Sequence, residues 1–417
     1  MGKTISEKIL SSHSGMDAYA KDIVVADVDL AMGQDGTTPL AIRAFREIGP
    51  ERVWNPAKIA MVIDHNAPSP NESVSRLHKM MREFAEENGI RLYDVGYGVC
   101  HQLMVENHVA PGDLIVGADS HTCTYGALGS FATGIGSTDI AAVFASGKLW
   151  FKVPETIKFI LNGILPKGVY SKDLILYLIG RVKADGATYM TAEFTGEAIS
   201  SLSVEARMTI TNMAVEMGAK TGLIEADKKT IEWIKFHSKR NPLIVKSDED
   251  AQYHKILEFN ISDLEPQVSV PHRVDNVSEI SEVKGIEIHE AFLGTCTNGR
   301  LEDLEIAARI LKNKKVSKGV RFIVAPASKR VYLEAMERGI IQTLVKANAA
   351  IVTPGCGPCV GTHDGIPSDD EVVISTANRN FKGRMGNSNA FIYLGSPATV
   401  AASALKGEIS DPREFIK

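Results

Sequence analysis

Short apolar runs recur along most of the chain, each followed by a segment of helical period. Lys58–Asp64 (KIAMVID) reads as a buried strand. Ser69, Pro70 and Glu72 then offer a cap, a proline at the first helical position and an acid at the third, predicting a helix to about Asn88. Ile23–Leu30 and Asp113–Ala118 predict further strands, and Thr138–Gly147 a helix entered through Gly134 and Gly136. The same grammar returns late. Strands at Ile286–Leu293 and Val320–Val324 precede helices over Leu301–Leu311 and from Lys329, and Ala349–Val352 opens into a loop. Alternating strands and helices predict an α/β fold with largely parallel sheets. Residues 220–284 break the pattern with charged clusters and Pro266 and Pro271, and read as linker and surface excursion.

The length of 417 residues allows two or three domains at about 100–200 residues each. A net charge of −5 gives no global field for nucleic acid or anionic lipid, so an anionic ligand must meet a local basic pocket. Neither nucleic acid nor membrane is expected as a partner. The N-terminal MGKTISEKILSSHSG has no apolar signal core, and the uncharged stretch Thr122–Thr138 is too rich in Gly, Ser and Thr for a span. Five cysteines are too few, and odd in number, for a disulfide framework. The cytoplasm is the expected compartment.

Three of those cysteines sit in Gly/Pro/Thr-rich loops after strands. Cys296 lies in Leu293–Gly299 (LGTCTNG), and Cys356 and Cys359 in Thr353–Gly361 (TPGCGPCVG). Loops at strand C-termini are where open α/β sheets bind ligands. A redox pair of the thioredoxin type needs its Cys-x-x-Cys at a helix start, and Val360–Thr362 begins no helical pattern. A structural zinc would take a fourth ligand from Cys100, Cys123 or a histidine. An electron-carrying iron–sulfur site normally uses four cysteines, and three inert buried thiols are the plain alternative. A zinc-stabilised binding protein therefore stands beside the enzyme readings.

Polar residues gather at the same strand ends. Asp64 beside His65 can fix a tautomer and raise a pKa, as a general acid requires. Asp119, Ser120 and His121 end the next strand, and His101 precedes a helix-like QLMVEN. Arg379 and Arg384 share a loop with Asn378 and suit carboxylate binding. Asn212 and Glu216 are spaced to share one face of a helix over Thr209–Gly218, and Gln34 follows the strand Ile23–Leu30.

Eight segments together resemble the aconitase superfamily, most closely its two-chain isopropylmalate isomerase/homoaconitase branch. They are Gln34–Thr37, Asp64–Asn66, Cys100–Gln102, Gly117–His121, Thr211–Glu216, Gly294–Asn298, Pro354–Cys359 and Asn378–Arg384, in family order from residue 34 to 384. The resemblance implies three aconitase-like α/β/α domains, with mostly parallel sheets around a central cluster-binding cleft. Their expected bounds are 1–154, 155–285 (with the charged linker 220–284) and 286–417. It implies Cys296, Cys356 and Cys359 as ligands of one 4Fe–4S cluster whose fourth iron is open, with Asn298 and Asn378 in its surroundings. It implies catalytic roles for Asp64, His65, His101, Asp119, His121 and Glu216. Gln34, Ser120, Asn212, Arg379 and Arg384 match substrate-binding positions. The implied reaction is dehydration and rehydration of a hydroxy di- or tricarboxylate, with 2-isopropylmalate first, then homocitrate/homoisocitrate, citraconate or dimethylmaleate. No segment after Arg384 resembles the family's fourth, swivelling domain with its serine base, so that domain is expected on a separate small subunit.

Overall fold

Apolar runs without alternation become central strands here, because a strand of a parallel sheet is covered on both faces. Ile59–Val62, Leu114–Gly117 and Glu290–Leu293 are buried at every position. A computed structural model describes residues 2–238, 240 and 242–416. Lys239 and Asn241 of the expected linker, and Met1 and Lys417 of the expected outer domains, lie outside the described residues.

The first sheet is five-stranded and parallel, in the order Arg91–Tyr93, Ile59–Val62, Leu30–Gln34, Leu114–Gly117, Phe131–Gly134. Chain order reverses between Leu30–Gln34 and Leu114–Gly117, which makes a crevice at their C-terminal ends. Gln34 ends one of these strands and Asp119 follows the other. A second, four-stranded parallel sheet runs from Thr156 to Asn260. The third sheet has seven strands. Five are parallel, ordered Phe391–Leu394, Val372–Ser375, Glu290–Leu293, Arg321–Val324, Ala350–Ile351, with an antiparallel pair at the edge. Its order reverses between Glu290–Leu293 and Val372–Ser375, the strands that lead into Cys296 and Asn378. First and third sheets meet through one buried cluster in which Met32, Val62 and Ile115 join Cys296 and Cys356.

Several expectations are corrected. Ile23–Leu30 is two strands, Ile23–Asp27 and Leu30–Gln34, in different sheets. Asp29 turns the chain between them, its carboxylate accepting from Leu114 N at 3.0 Å. The helix expected from Ser69 starts at Glu72, because Asn71 caps it by accepting from Val74 N while Ser69 Oγ donates to Asn71 O. The helix expected over Thr209–Gly218 spans Val204–Asn212 and tightens into a 3₁₀ segment, Met213–Met217, so Asn212 and Glu216 do not share a helix face. Residues 220–284 are not a linker: they supply strands Thr221–Ile224 and Lys255–Asn260 to the second sheet and Gln267–Ser269 and Val277–Glu279 to the third. Lys255–Asn260 is an edge strand with exposed positions along its length, which explains its charged sequence. Among the described residues no helix is long and apolar enough to cross a membrane.

Lys172, fully buried in the helix Ser171–Val182, ties the second layer to the third sheet. Its ammonium donates to the carbonyls of Thr376 and Ala377 at 2.8 and 2.7 Å, directly before Asn378. Burial pushes its pKa down to about 7, against the opposing pull of Cys296 and Cys359. Lys172→Met keeps the apolar stem but leaves both carbonyls without this donor, at about 1–3 kcal/mol per unmet group. The expected loss is on the order of 2–6 kcal/mol, read as a lower urea midpoint by circular dichroism. An unchanged midpoint would show that this tie carries no stability.

Candidate active site

Asp35 organises the turn after Asp64. Its carboxylate accepts the backbone N–H groups of Asp64, His65 and Asn66 at 3.0, 2.7 and 2.9 Å, and His78 Nε2 lies 3.2 Å away. Burial would raise its pKa, but His78, His65 and these amides hold it far below the usual carboxylate range. The turn so fixed presents Asp64 and His65. Asp64 Oδ1 is 2.9 Å from His65 Nδ1, and Oδ2 accepts Cys100 N at 2.7 Å. The other face of the imidazole, Nε2, lies 3.4 Å from Asp119 Oδ2. Burial opposes protonation of His65, yet Cys356, Asp64 and Asp119 outweigh it and raise its pKa well above the ordinary value.

Asp119 gathers the rest. Its Oδ1 lies 2.9 Å from His101 Nε2 and accepts His121 N at 2.8 Å, while Gln34 Nε2 donates to Oδ2 at 3.4 Å. Against the cost of burial, His101, His121 and His65 keep it ionised. His121 Nε2 reaches Glu216 Oε1 at 2.9 Å, and Arg379 Nε donates to the same carboxylate at 2.8 and 3.1 Å. Despite burial, His121 and Arg379 lower the pKa of Glu216. Arg379 Nη2 also donates to Ser120 Oγ at 3.1 Å. One continuous network thus runs from Asp64 to Arg379.

The cysteine loops face this network. Cys296 sits on a one-turn helix, Thr295–Asn298, after the strand Glu290–Leu293. Thr295 has φ +72°, a left-handed conformation costing about 1–3 kcal/mol in a non-glycine residue. Arg300, almost completely buried, holds the turn by donating to the carbonyls of Cys296 and Thr297 at 2.5 and 2.6 Å. Cys356 N donates to Asp64 O at 2.9 Å, which locks the Cys-Gly-Pro-Cys turn against the first sheet. Gly361 ends that turn at φ +72°, and a β-carbon there would come within 2.1 Å of Gly386 N. Only glycine lets this loop lie against the one carrying Arg384.

Donors converge on the sulfurs. Cys296 Sγ receives Asn212 Nδ2 at 3.2 Å and Asn378 Nδ2 at 3.6 Å, and Cys359 Sγ receives Arg384 Nη2 at 3.3 Å. Burial raises the pKa of Cys356 to about 11, against the pull of His65, and that of Cys296 further. Two thiolates on one zinc lie no more than about 4.6 Å apart. Among the described residues, the sets of three donors that close to within 4.8 Å are His101, His121, Cys296 and Asp64, His65, Cys100. Cys296, Cys356 and Cys359 form no such set, with or without Cys100 or Cys123. As placed, these three sulfurs do not close on one small ion. Among the described residues Arg384 Nε is buried without a partner, as a donor awaiting an anion would be.

Gln34, Asp64, His65, His101, Asp119, Ser120, His121, Asn212, Glu216, Asn378, Arg379 and Arg384 are thus linked to one another or to the cysteines by the contacts above. Asn298 points elsewhere, donating to Thr209 Oγ1 and Asp303 Oδ1 behind the Cys296 turn. Three supporting residues escaped sequence reasoning. Asp35 stood in a quoted segment without a role. Arg300 acts through carbonyl groups, and His363 Nε2 donates to His65 O at 3.1 Å. An Asp beside a Gly after a strand was the one available signal.

Asp35→Asn should lower stability by on the order of 2–3 kcal/mol at neutral pH, the scale of hydrogen bonds to a charged group. Because the folded pKa of Asp35 is depressed, its contribution is complete above the unfolded value near about 3.9 and fades as pH falls below it. Thermal unfolding between pH 7 and 3 should show the two proteins converging in acid. A constant gap would assign the effect to shape rather than charge.

Comparison with known proteins agrees with this geometry. A sequence model of the Aconitase family (aconitate hydratase) matches residues 7–285 and 279–407. The chain is 56% identical over 417 residues to "3-isopropylmalate dehydratase large subunit 2" of Archaeoglobus fulgidus, covering 100% of both. It is 53% identical over 418 residues to "3-isopropylmalate dehydratase large subunit 1" of Methanopyrus kandleri, again covering 100% of both. It is 54% identical over 394 residues to "Probable methanogen homoaconitase large subunit" of Methanosarcina mazei, covering 94% of this chain and 100% of that one. With strand-end histidines, carboxylates and cysteines meeting in one cleft, and with relatives matching end to end, the chain belongs to the aconitase family.

Proposed function

We propose that this chain is the large, iron–sulfur subunit of a 3-isopropylmalate dehydratase. It would interconvert 2-isopropylmalate and 3-isopropylmalate through 2-isopropylmaleate, a step of leucine biosynthesis in the cytoplasm. The observation that carries the reading is identity above one half, over the whole chain, to relatives bearing that name. Family membership implies an iron–sulfur group; we assign it as one 4Fe–4S cluster on Cys296, Cys356 and Cys359. When bound, its iron without a protein ligand supplies Lewis-acid chemistry to the substrate hydroxyl.

The remaining steps belong to side chains. His65, held protonated between Asp64 and Asp119, donates a proton to the departing hydroxyl from Nε2. Arg384, with its free Nε, and Arg379, anchored on Glu216, bind the two carboxylates. Gln34 and Ser120 orient the substrate, and His101, Asp119 and His121 fix the proton network around it. Asn212 and Asn378 donate to the sulfur of Cys296 and temper its charge.

Proton abstraction beside a carboxylate needs a base, and no serine or lysine here is assigned to that task. A small subunit of roughly 160–200 residues, one ordinary domain, would bring it and cover the cleft. The name "large subunit" on the relatives supports such a partner. A homoaconitase is the second reading, favoured by the 54% identity to the Methanosarcina mazei protein.

Two outcomes are expected. Anaerobically prepared chain with its small subunit should turn over 2-isopropylmalate in preference to cis-homoaconitate and citraconate, whereas the chain alone should hold the cluster yet turn over nothing. Turnover of homoaconitate only would replace the first reading with the second, and full turnover by the chain alone would refute the missing base. Asp64→Asn should lower kcat about 10²–10⁴-fold, the range of acid–base help, with KM nearly unchanged. A rise in KM at constant kcat would make Asp64 a substrate-binding residue instead.

A further inference from the structure

A donor set other than the cysteine triad closes within the cleft. One ring nitrogen each of His101 and His121 and the sulfur of Cys296 lie within 4.8 Å of one another, and all three residues are buried. Two imidazoles and a thiolate leave a fourth position open, the donor count of a zinc site that keeps a solvent or substrate ligand. The outer partners fit as well. His101 Nε2 rests against Asp119 and His121 Nε2 against Glu216, each at 2.9 Å, while Asn212 Nδ2 donates to Cys296 Sγ at 3.2 Å. A carboxylate on one ring nitrogen fixes the tautomer and strengthens the other as a ligand. The other nitrogen of His101 meets the Tyr125 hydroxyl at 3.1 Å and that of His121 lies 3.5 Å from Asp119 Oδ1, so an ion must replace a contact at each ring.

We infer that the cluster-free chain binds one zinc-class divalent ion through His101, His121 and Cys296, in a site that shares only Cys296 with the three-cysteine set. Binding releases the thiol proton of Cys296 to solvent. Because Cys296 serves both sites, the ion and the iron–sulfur group exclude each other; that consequence rests on the assignment of Cys296, Cys356 and Cys359. Both occupants use the same sulfur, so an ion taken up early blocks later assembly of the cluster.

Cobalt(II) is the probe, titrated anaerobically into the reduced, cluster-free full chain. A thiolate-to-cobalt absorption saturating at one ion per chain is expected. Cys296→Ser and His121→Asn should each weaken binding more than about 100-fold, beyond the 10–100-fold typical of losing an outer partner. The double variant Cys356→Ser/Cys359→Ser should bind as tightly as the unaltered chain, with circular dichroism verifying the fold of each variant. Loss of the band in the double variant, or its survival in Cys296→Ser, would overturn the site. A zinc-loaded chain given iron and sulfide should develop no cluster absorbance until a chelator is added. Uptake at the unloaded rate would refute the shared sulfur. An unloaded chain that takes up no cluster, with the cobalt result intact, would count against the three-cysteine reading alone.

Discussion

A single buried negative charge, the carboxylate of Asp119, is the constraint around which the cleft is built. His65, His101, the His121 amide and Gln34 approach it from four segments of the first sheet region. In a poorly solvated interior an ionised carboxylate is stable only when its acceptor capacity is filled. Each of those donors is therefore held in place by the same demand. Glu216 repeats the device one step outward, with His121 on one side and Arg379 on the other. Charge satisfaction thus joins segments that are hundreds of residues apart.

Topology puts the two halves of this arrangement face to face. The reversal of strand order in the first sheet delivers acids and imidazoles, and the reversal in the third delivers Cys296, amides and guanidinium groups, with Cys356 and Cys359 following the edge strand Ala350–Ile351. The second sheet's layer contributes Asn212 and Glu216 between them, and Lys172 fastens it to the carbonyls before Asn378. Local strain at Thr295 is tolerated because Arg300 over-determines the turn from outside.

Much of this was legible because polar residues ending an apolar run are conspicuous. Asp64, His65, Asp119 and His121 each stop a strand, and the family-like order of eight segments tied them to the cysteines. What escaped has physical reasons. Lys172 and Arg300 work on backbone carbonyls, which every residue has, so no partner is written in the sequence. The edge strand Lys255–Asn260 has solvent along it and lacks an apolar signature. The break between Ile23–Asp27 and Leu30–Gln34 depends on Asp29 meeting Leu114, a long-range event inside a continuous apolar run. Asn298, near Cys296 in sequence, donates instead to Thr209 and Asp303, partners that only the fold brings to it.

The distribution of these groups along the chain also sets the order of events during synthesis. Asp35 and His65 emerge early, Cys296, Cys359 and Arg384 late, and the bond between Lys172 and Ala377 joins residues 205 positions apart. Ribosomes add about 5–20 residues per second and domains fold as they emerge. The first sheet can therefore be complete for several seconds while its histidines and carboxylates still lack their sulfur partners. On the proposed assignment, metal delivery to the cysteine set would follow translation of nearly the whole polypeptide, and a chain truncated before Arg384 would present acids and imidazoles without their sulfur-bearing counterpart.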